Sequence, residues 1–168
     1  MARIDPVPPD SWATSPAVRR SMLGNRSRDT APERALRSAL HALGLRFRVD
    51  TRPLPAIPRR ADVVLRGDRI AVFLDGCFWH GCPDHFRPPA TNAGYWTAKI
   101  ARNRARDAST TAVLEAAGWI VVRVWEHEPA AGAARRIAAN LVLARAEATS
   151  PARSLLSAGA TMRGRTRR

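Results

Sequence analysis

The stretch Ala61-Asp62-Val63-Val64-Leu65-Arg66-Gly67-Asp68-Arg69-Ile70-Ala71-Val72-Phe73-Leu74-Asp75 decides how the rest of the chain folds. Ala61 to Leu65 and Ile70 to Leu74 are nearly continuous apolar runs. Short runs of this kind, rich in Val and Ile, read as strands covered on both faces. Gly67-Asp68 between them is a glycine-first pair suited to a tight hairpin. Both strands therefore belong at the centre of a sheet.

Upstream, Leu45, Phe47 and Val49 alternate with Arg46, Arg48 and Asp50, as in a half-buried strand, and a connection with Pro53, Pro55 and Pro58 follows. Before that strand, Thr30 and Glu33 have capping-box spacing, Pro32 suits a first turn, and Leu36, Leu40 and Leu43 recur on one face until Gly44, which predicts a helix. Downstream, an irregular segment runs from Gly76 to Thr91. A long helix starts near Asn92 and stops before Gly118, Trp119 to Trp125 reads as another strand, and a last helix carries Ile137, Leu141 and Ala144. This order predicts an α/β fold with a mixed central sheet flanked by helices.

The expected globular domain covers 29–147. Residues 1–28 contain Pro6, Pro8, Pro9, Pro16 and five arginines, which predicts a flexible basic arm, and 148–168 end in Arg163, Arg165, Arg167 and Arg168 as a disordered basic tail. With 168 residues and 45% apolar composition, one ordinary core is the expectation. No apolar run is long enough for a membrane span, and Met1 to Pro9 lack the stretch of a secretory signal, so a cytoplasmic protein is expected. Cys77 and Cys82 lie too close together to staple distant segments, which excludes a disulfide scaffold. The net charge is +14, almost all from arginine, since Lys99 is the sole lysine. Arginine's planar fork suits phosphate, so a polyanion is the first partner to consider. Genomic base bias also enriches arginine, so charge alone leaves that question open.

Cys77-Phe78-Trp79-His80-Gly81-Cys82-Pro83-Asp84-His85 gathers both cysteines and two of the four histidines into nine positions. Cys77, Cys82 and His85 have the short spacing with which one turn wraps a tetrahedral zinc, and His127, just past the strand 119–125, is the candidate fourth ligand. His80 is then free for another role. Asp62 opens one central strand and Asp75 closes the next, so their carboxylates emerge at adjacent strand ends, where they can share a divalent cation. Asp62 also reads as a simple strand-start residue and Glu33 as a simple helix cap. On the long helix, Trp96, Lys99, Asn103 and Asp107 fall on one stripe, a mixture that suits base stacking and phosphate contact better than a core face. Phe78 and Trp79 are candidate wedges between base pairs, with core burial as the alternative.

Four strings together, Arg28-Asp29-Thr30-Ala31-Pro32-Glu33, Ala61-Asp62-Val63-Val64, Asp75-Gly76-Cys77-Phe78-Trp79-His80-Gly81-Cys82, and Gly118-Trp119 through Val124-Trp125-Glu126, resemble the very-short-patch mismatch repair (Vsr) endonucleases over about residues 16 to 128. The resemblance implies a restriction-endonuclease-like fold with a structural zinc loop. It implies a nick in one strand, 5′ of the thymine at T·G mismatches left by deamination of 5-methylcytosine. Asp62 would hold catalytic Mg²⁺, His80 would act as general base, and Glu33 would partner His80. Cys77, Cys82, His85 and His127 match the family's structural Zn²⁺ site in position. Phe78, Trp79 and Trp96 match its intercalating aromatics, with Asn103 and Asp107 on the helix of Trp96 near the active site. Double-stranded DNA is the implied partner, alongside mismatch-repair proteins and a cytosine methyltransferase, for a monomer working at the nucleoid. Asp75 departs from the pattern, standing where the best-known member has a histidine, so a second metal ligand is an open role for it. A non-catalytic zinc-stabilised DNA-binding module and a restriction-type endonuclease of the same fold are the competing expectations.

Overall fold

Residues 28–149 are described by the structure, a computed structural model of the chain. Apart from Arg28 and the last two residues of the final helix, the expected arm and tail lie outside the described residues.

Helix α1 (Ala31–Ala42) begins as its sequence predicts. The Thr30 hydroxyl accepts the Glu33 N–H at 3.4 Å and donates to Glu33 Oε1 at 2.9 Å. Glu33 Oε2 closes the box on the Asp29 N–H at 2.9 Å, one residue before the usual partner. The chain leaves α1 through Gly44 at φ +74°, where the Leu45 N–H folds back to the Leu40 carbonyl at 3.1 Å.

Strands β1 (Arg48–Thr51), β2 (Ala61–Leu65), β3 (Ile70–Asp75) and β4 (Ile120–Trp125) form one sheet in the order β1-β2-β3-β4. β1 and β2 are antiparallel, as are β2 and β3, whereas β3 and β4 run parallel with Phe73 beside Arg123 and Asp75 beside Trp125. A parallel pair needs a crossover. It is supplied by the four-residue helix α2 (Cys77–His80) and the long α3 (Ala93–Ala116), and α4 (Ala130–Thr149) follows β4.

Side-chain alternation then divides the molecule into three layers. Val63, Leu65, Ile70, Val72, Val122 and Val124 face α1 and α4, where Leu36, Leu40, Ile137 and Leu141 complete the main core. Fully buried side chains such as Leu36, Leu40 and Ile137 each stabilise by about 1.5–3 kcal/mol. The opposite face, with Val64, Ala71 and Val121, packs on Leu114 of α3, on Trp119 and on Leu54 and Ile57 of the proline-rich connection. Phe73, Asp75 and Arg123 share that second face by alternation, and the β2–β3 register carried one pair beyond Val63↔Val72 sets Asp62 opposite Phe73. The polar residues thus collect where the parallel strands end, beyond the apolar part of α3, which is where open α/β sheets place their ligands.

Three local expectations are corrected. β1 starts at Arg48, so Leu45 and Phe47 pack against the core without joining the ladder. The β2–β3 turn spans Arg66 to Arg69, closed by the Arg69 N–H on the Arg66 carbonyl at 3.3 Å, and the left-handed residue is Arg69 (φ +52°) rather than Gly67. The segment after Gly76 opens with α2 instead of remaining irregular throughout. No helix among the described residues is long and apolar enough to cross a membrane.

Candidate functional site

α2 is a single turn, and it carries one residue of each of two neighbouring clusters. Glu126, at the end of β4, accepts the Cys77 N–H through Oε1 at 2.6 Å and so caps the turn's start. At its other end Gly81 is left-handed (φ +64°), and the Cys82 N–H returns to the Cys77 carbonyl at 2.9 Å. A Cβ on Gly81 would lie 2.8 Å from Ile100 Cγ2, so both the conformation and the close approach to α3 call for glycine. Cys77 is thereby turned to one side and His80 to the other.

On the first side stand Cys77, Cys82, His85 and His127, whose ligand atoms all lie within 4.8 Å of one another. His127 Nδ1 is 3.1 Å from Cys77 Sγ and 3.7 Å from Cys82 Sγ, and His85 Nδ1 is 3.7 Å from Cys82 Sγ. Tetrahedral zinc with S and N ligands sets neighbouring donors roughly 3.3–3.8 Å apart, so the residues present fit that ion. Both thiols are free. Burial, then the neighbouring Cys82 thiol, pushes Cys77 up to about 11, a cost that a bound cation would reverse.

On the other side His80 Nδ1 lies 2.6 Å from Asp107 Oδ2 on α3 and 3.5 Å from Asp75 Oδ1. Asp75, only 5% exposed, is gripped through both oxygens by Arg123, Nε to Oδ2 at 2.6 Å and an Nη to Oδ1 at 2.5 Å. The same guanidinium reaches Asp107 Oδ2 at 3.3 Å and lies over the Phe73 ring, 5.4 Å from its centroid. Burial alone would lower the Arg123 pKa, and the two carboxylates more than reverse it. Nothing in the sequence reading singled out Arg123, although it is the one charged residue within an otherwise apolar strand.

Asp62 accepts the Leu74 N–H at 2.7 Å. Burial lifts its carboxyl to about 6, against the lowering effect of that hydrogen bond, with the charges of Glu33 and Asp75 adding to the rise. Three acids are thus felt at one point, the setting in which a hard divalent cation relieves repulsion. Glu33, expected beside His80, is instead engaged with Thr30, Asp29 and Arg37, and Asp107 holds the His80 nitrogen. Glu33 touches the site only through its charge on Asp62.

The aromatic residues form one group. Phe78 meets Trp79 and Trp96 edge-on at 5.2 and 5.0 Å between centroids, and Trp79 lies 5.9 Å from Trp96. Lys99 Nζ sits 5.5 Å from the Trp79 and Trp96 rings. Asn103 fastens the group to the site by donating to the Trp79 carbonyl at 2.8 Å. Trp96 is only 7% exposed, whereas Phe78 and Trp79 are half-buried at the surface.

The family model of the DNA mismatch endonuclease Vsr matches residues 13–85. A type II nicking enzyme of Lentzea aerocolonigenes, V.NaeI, is 50% identical over 111 residues, covering 65% of this chain and 67% of that protein. The type II nicking enzyme V.XorIIP of Xanthomonas oryzae is 43% identical over 116 residues, 68% of this chain and 83% of that protein. The DNA mismatch endonuclease Vsr of Escherichia coli K12 is 42% identical over 101 residues, 60% of this chain and 63% of that protein. Relatives of this kind, together with acids and an imidazole gathered at the strand ends of a mixed sheet, define a DNA endonuclease. The chain belongs to the Vsr family.

Proposed function

We propose that the protein nicks one strand of duplex DNA 5′ of the thymine in a T·G mismatch, by Mg²⁺-dependent hydrolysis on a restriction-endonuclease-like fold held by a structural zinc. The observation that carries this reading is the His80–Asp107 pair at the carboxyl end of β3 and β4, the end of the sheet that also holds the raised carboxyl of Asp62. Asp107 accepts the Nδ1–H of His80, which leaves the lone pair on Nε2 to take a proton from the attacking water. The water oxygen bonds to phosphorus, the P–O3′ bond breaks, O3′ takes a proton from solvent water, and a 5′ phosphate and a 3′ hydroxyl result. Asp62 would hold Mg²⁺, which when bound neutralises phosphate charge and lowers the pKa of a bound water. Arg123 donates one hydrogen bond to each oxygen of Asp75, whose remaining lone pairs, with His80 and Asp107 close by, could also meet a cation.

Selection of the lesion rests on the aromatic group. Phe78 and Trp79, backed by Trp96 and flanked by Lys99, form a wedge for a base step, and a mismatched step costs least to unstack. The place of action is the nucleoid, on DNA that also engages mismatch-repair proteins. The type II nicking enzymes among the relatives support a second reading, the same hydrolysis directed at one strand of a particular sequence.

The test is a nicking assay on a duplex with a single T·G pair and on its matched counterpart, with and without Mg²⁺. Cutting of the mismatched duplex only, lost in Asp62→Ala and His80→Ala variants that still unfold cooperatively, is the expected result. Cutting of the matched duplex favours the second reading. Tight binding without cutting under any metal leaves a DNA-binding module and overturns both.

A further inference from the structure

We infer that Arg123 is a positioning residue for the reaction, holding Asp107 against His80 by spanning the Asp75 and Asp107 carboxylates. The inference rests on the general-base role proposed for His80.

The geometry is specific. Asp107 sits on α3 and His80 on α2, 27 residues apart, while Arg123 comes from the centre of β4 and Asp75 from the end of β3. The Arg123 contacts tie the Asp107 carboxylate of α3 to the sheet at this level. The fork is anchored first, through two short parallel bonds to buried Asp75, and only then offers its remaining reach of 3.3 Å to Asp107 Oδ2. That oxygen is the one 2.6 Å from His80 Nδ1. One oxygen therefore receives both the imidazole and the guanidinium, which fixes the rotamer of Asp107 and, through it, the plane of the His80 ring. The ring nitrogen that must meet the water, Nε2, has no hydrogen bond to the described residues, so the polar contacts that aim the ring are those at Nδ1. The Phe73 ring beneath the guanidinium limits the planes in which the fork can lie.

Lysine at this position keeps the charge but not the fork, and it cannot grip Asp75 through two atoms while reaching Asp107. A misaimed base of this kind lowers turnover roughly 10- to 100-fold. The experiment measures steady-state nicking of the duplex that the wild type cuts, for Arg123→Lys, Arg123→Gln and the double variant Asp75→Asn/Arg123→Gln. Long-range ¹H–¹⁵N spectra of the histidine rings are recorded on each without DNA. The expected result is a fall in kcat for all three at nearly unchanged KM, with the strongly hydrogen-bonded Nδ1–H signal of His80 weakened or lost. The double variant folds without an unpaired buried acid, so its failure to regain kcat separates positioning from simple neutralisation of Asp75. Wild-type kcat in Arg123→Lys, or its recovery in the double variant, would overturn the inference, as would a rise in KM at constant kcat, which marks a DNA contact. An unchanged His80 signal in every variant would do the same. If the wild type cuts no duplex, the proposed function fails while the spectra still decide whether Arg123 orders the His80–Asp107 pair.

Discussion

A single carboxylate shows how far the site is tuned away from ordinary surface chemistry. Asp62 is raised from 3.8 to about 6, first by burial and then by the charges of Glu33 and Asp75. Because the folded value lies above the unfolded one, the stabilisation linked to this proton is complete below about pH 3.8 and is lost as pH rises through about 6. In metal-free protein, Asp62→Asn is therefore expected to be more stable than wild type above pH 6, by on the order of 2–3 kcal/mol, and no more stable near pH 4. Thermal unfolding of both proteins at the two pH values, without divalent ions, checks this, and an equal difference at both would sink it. The candidate acids Asp62 and Asp75 were legible in the sequence because strand-end acids interrupt apolar runs. Arg123 was not, since one arginine in a strand has no visible partner until β3 is laid beside it in parallel. Glu33 carried two readings, a helix cap from its spacing and a partner of His80 from the family likeness, and its hydrogen bonds go to the cap.

Among the elements, the apolar runs of β2 and β3 made the central hairpin readable, because continuous burial on both faces leaves little else for such runs to do. β1 was placed too early. Alternation from Leu45 to Val49 reports which side chains face the core, but a ladder needs a partner, and β2 ends at Leu65, the residue opposite Phe47, so no residue of β2 lies opposite Arg46 and Leu45. Leu45 and Phe47 pack against the core without pairing, and Arg46 between them is exposed. The turn α2 was hidden altogether, since four residues carry no periodicity and its form depends on a cap from Glu126, 49 residues away. That dependence makes the loop sensitive to its ligands. One zinc per chain is expected by elemental analysis, and its removal with a chelator should lower the melting temperature by at least about 10 °C. A melting curve unaffected by stripping would remove the zinc from the account.

For the whole molecule, the formal charge of +14 acts as a field rather than as individual contacts. Duplex affinity is expected to fall roughly 1,000-fold between 50 and 200 mM salt, as for a protein that neutralises several phosphates, and titrations at a series of salt concentrations check the slope. An affinity indifferent to salt would mean that the arginines do not meet the backbone.

The sheet also separates two ends of the protein. Arg66 to Arg69 turn at one extremity of β3, and Asp75 stands at the other, about 17 Å away for a strand of this length. A fluorophore or short peptide grafted between Gly67 and Asp68 would ride on the blunt end of the tool, leaving the cutting edge untouched and giving a handle for watching single molecules arrive on a duplex.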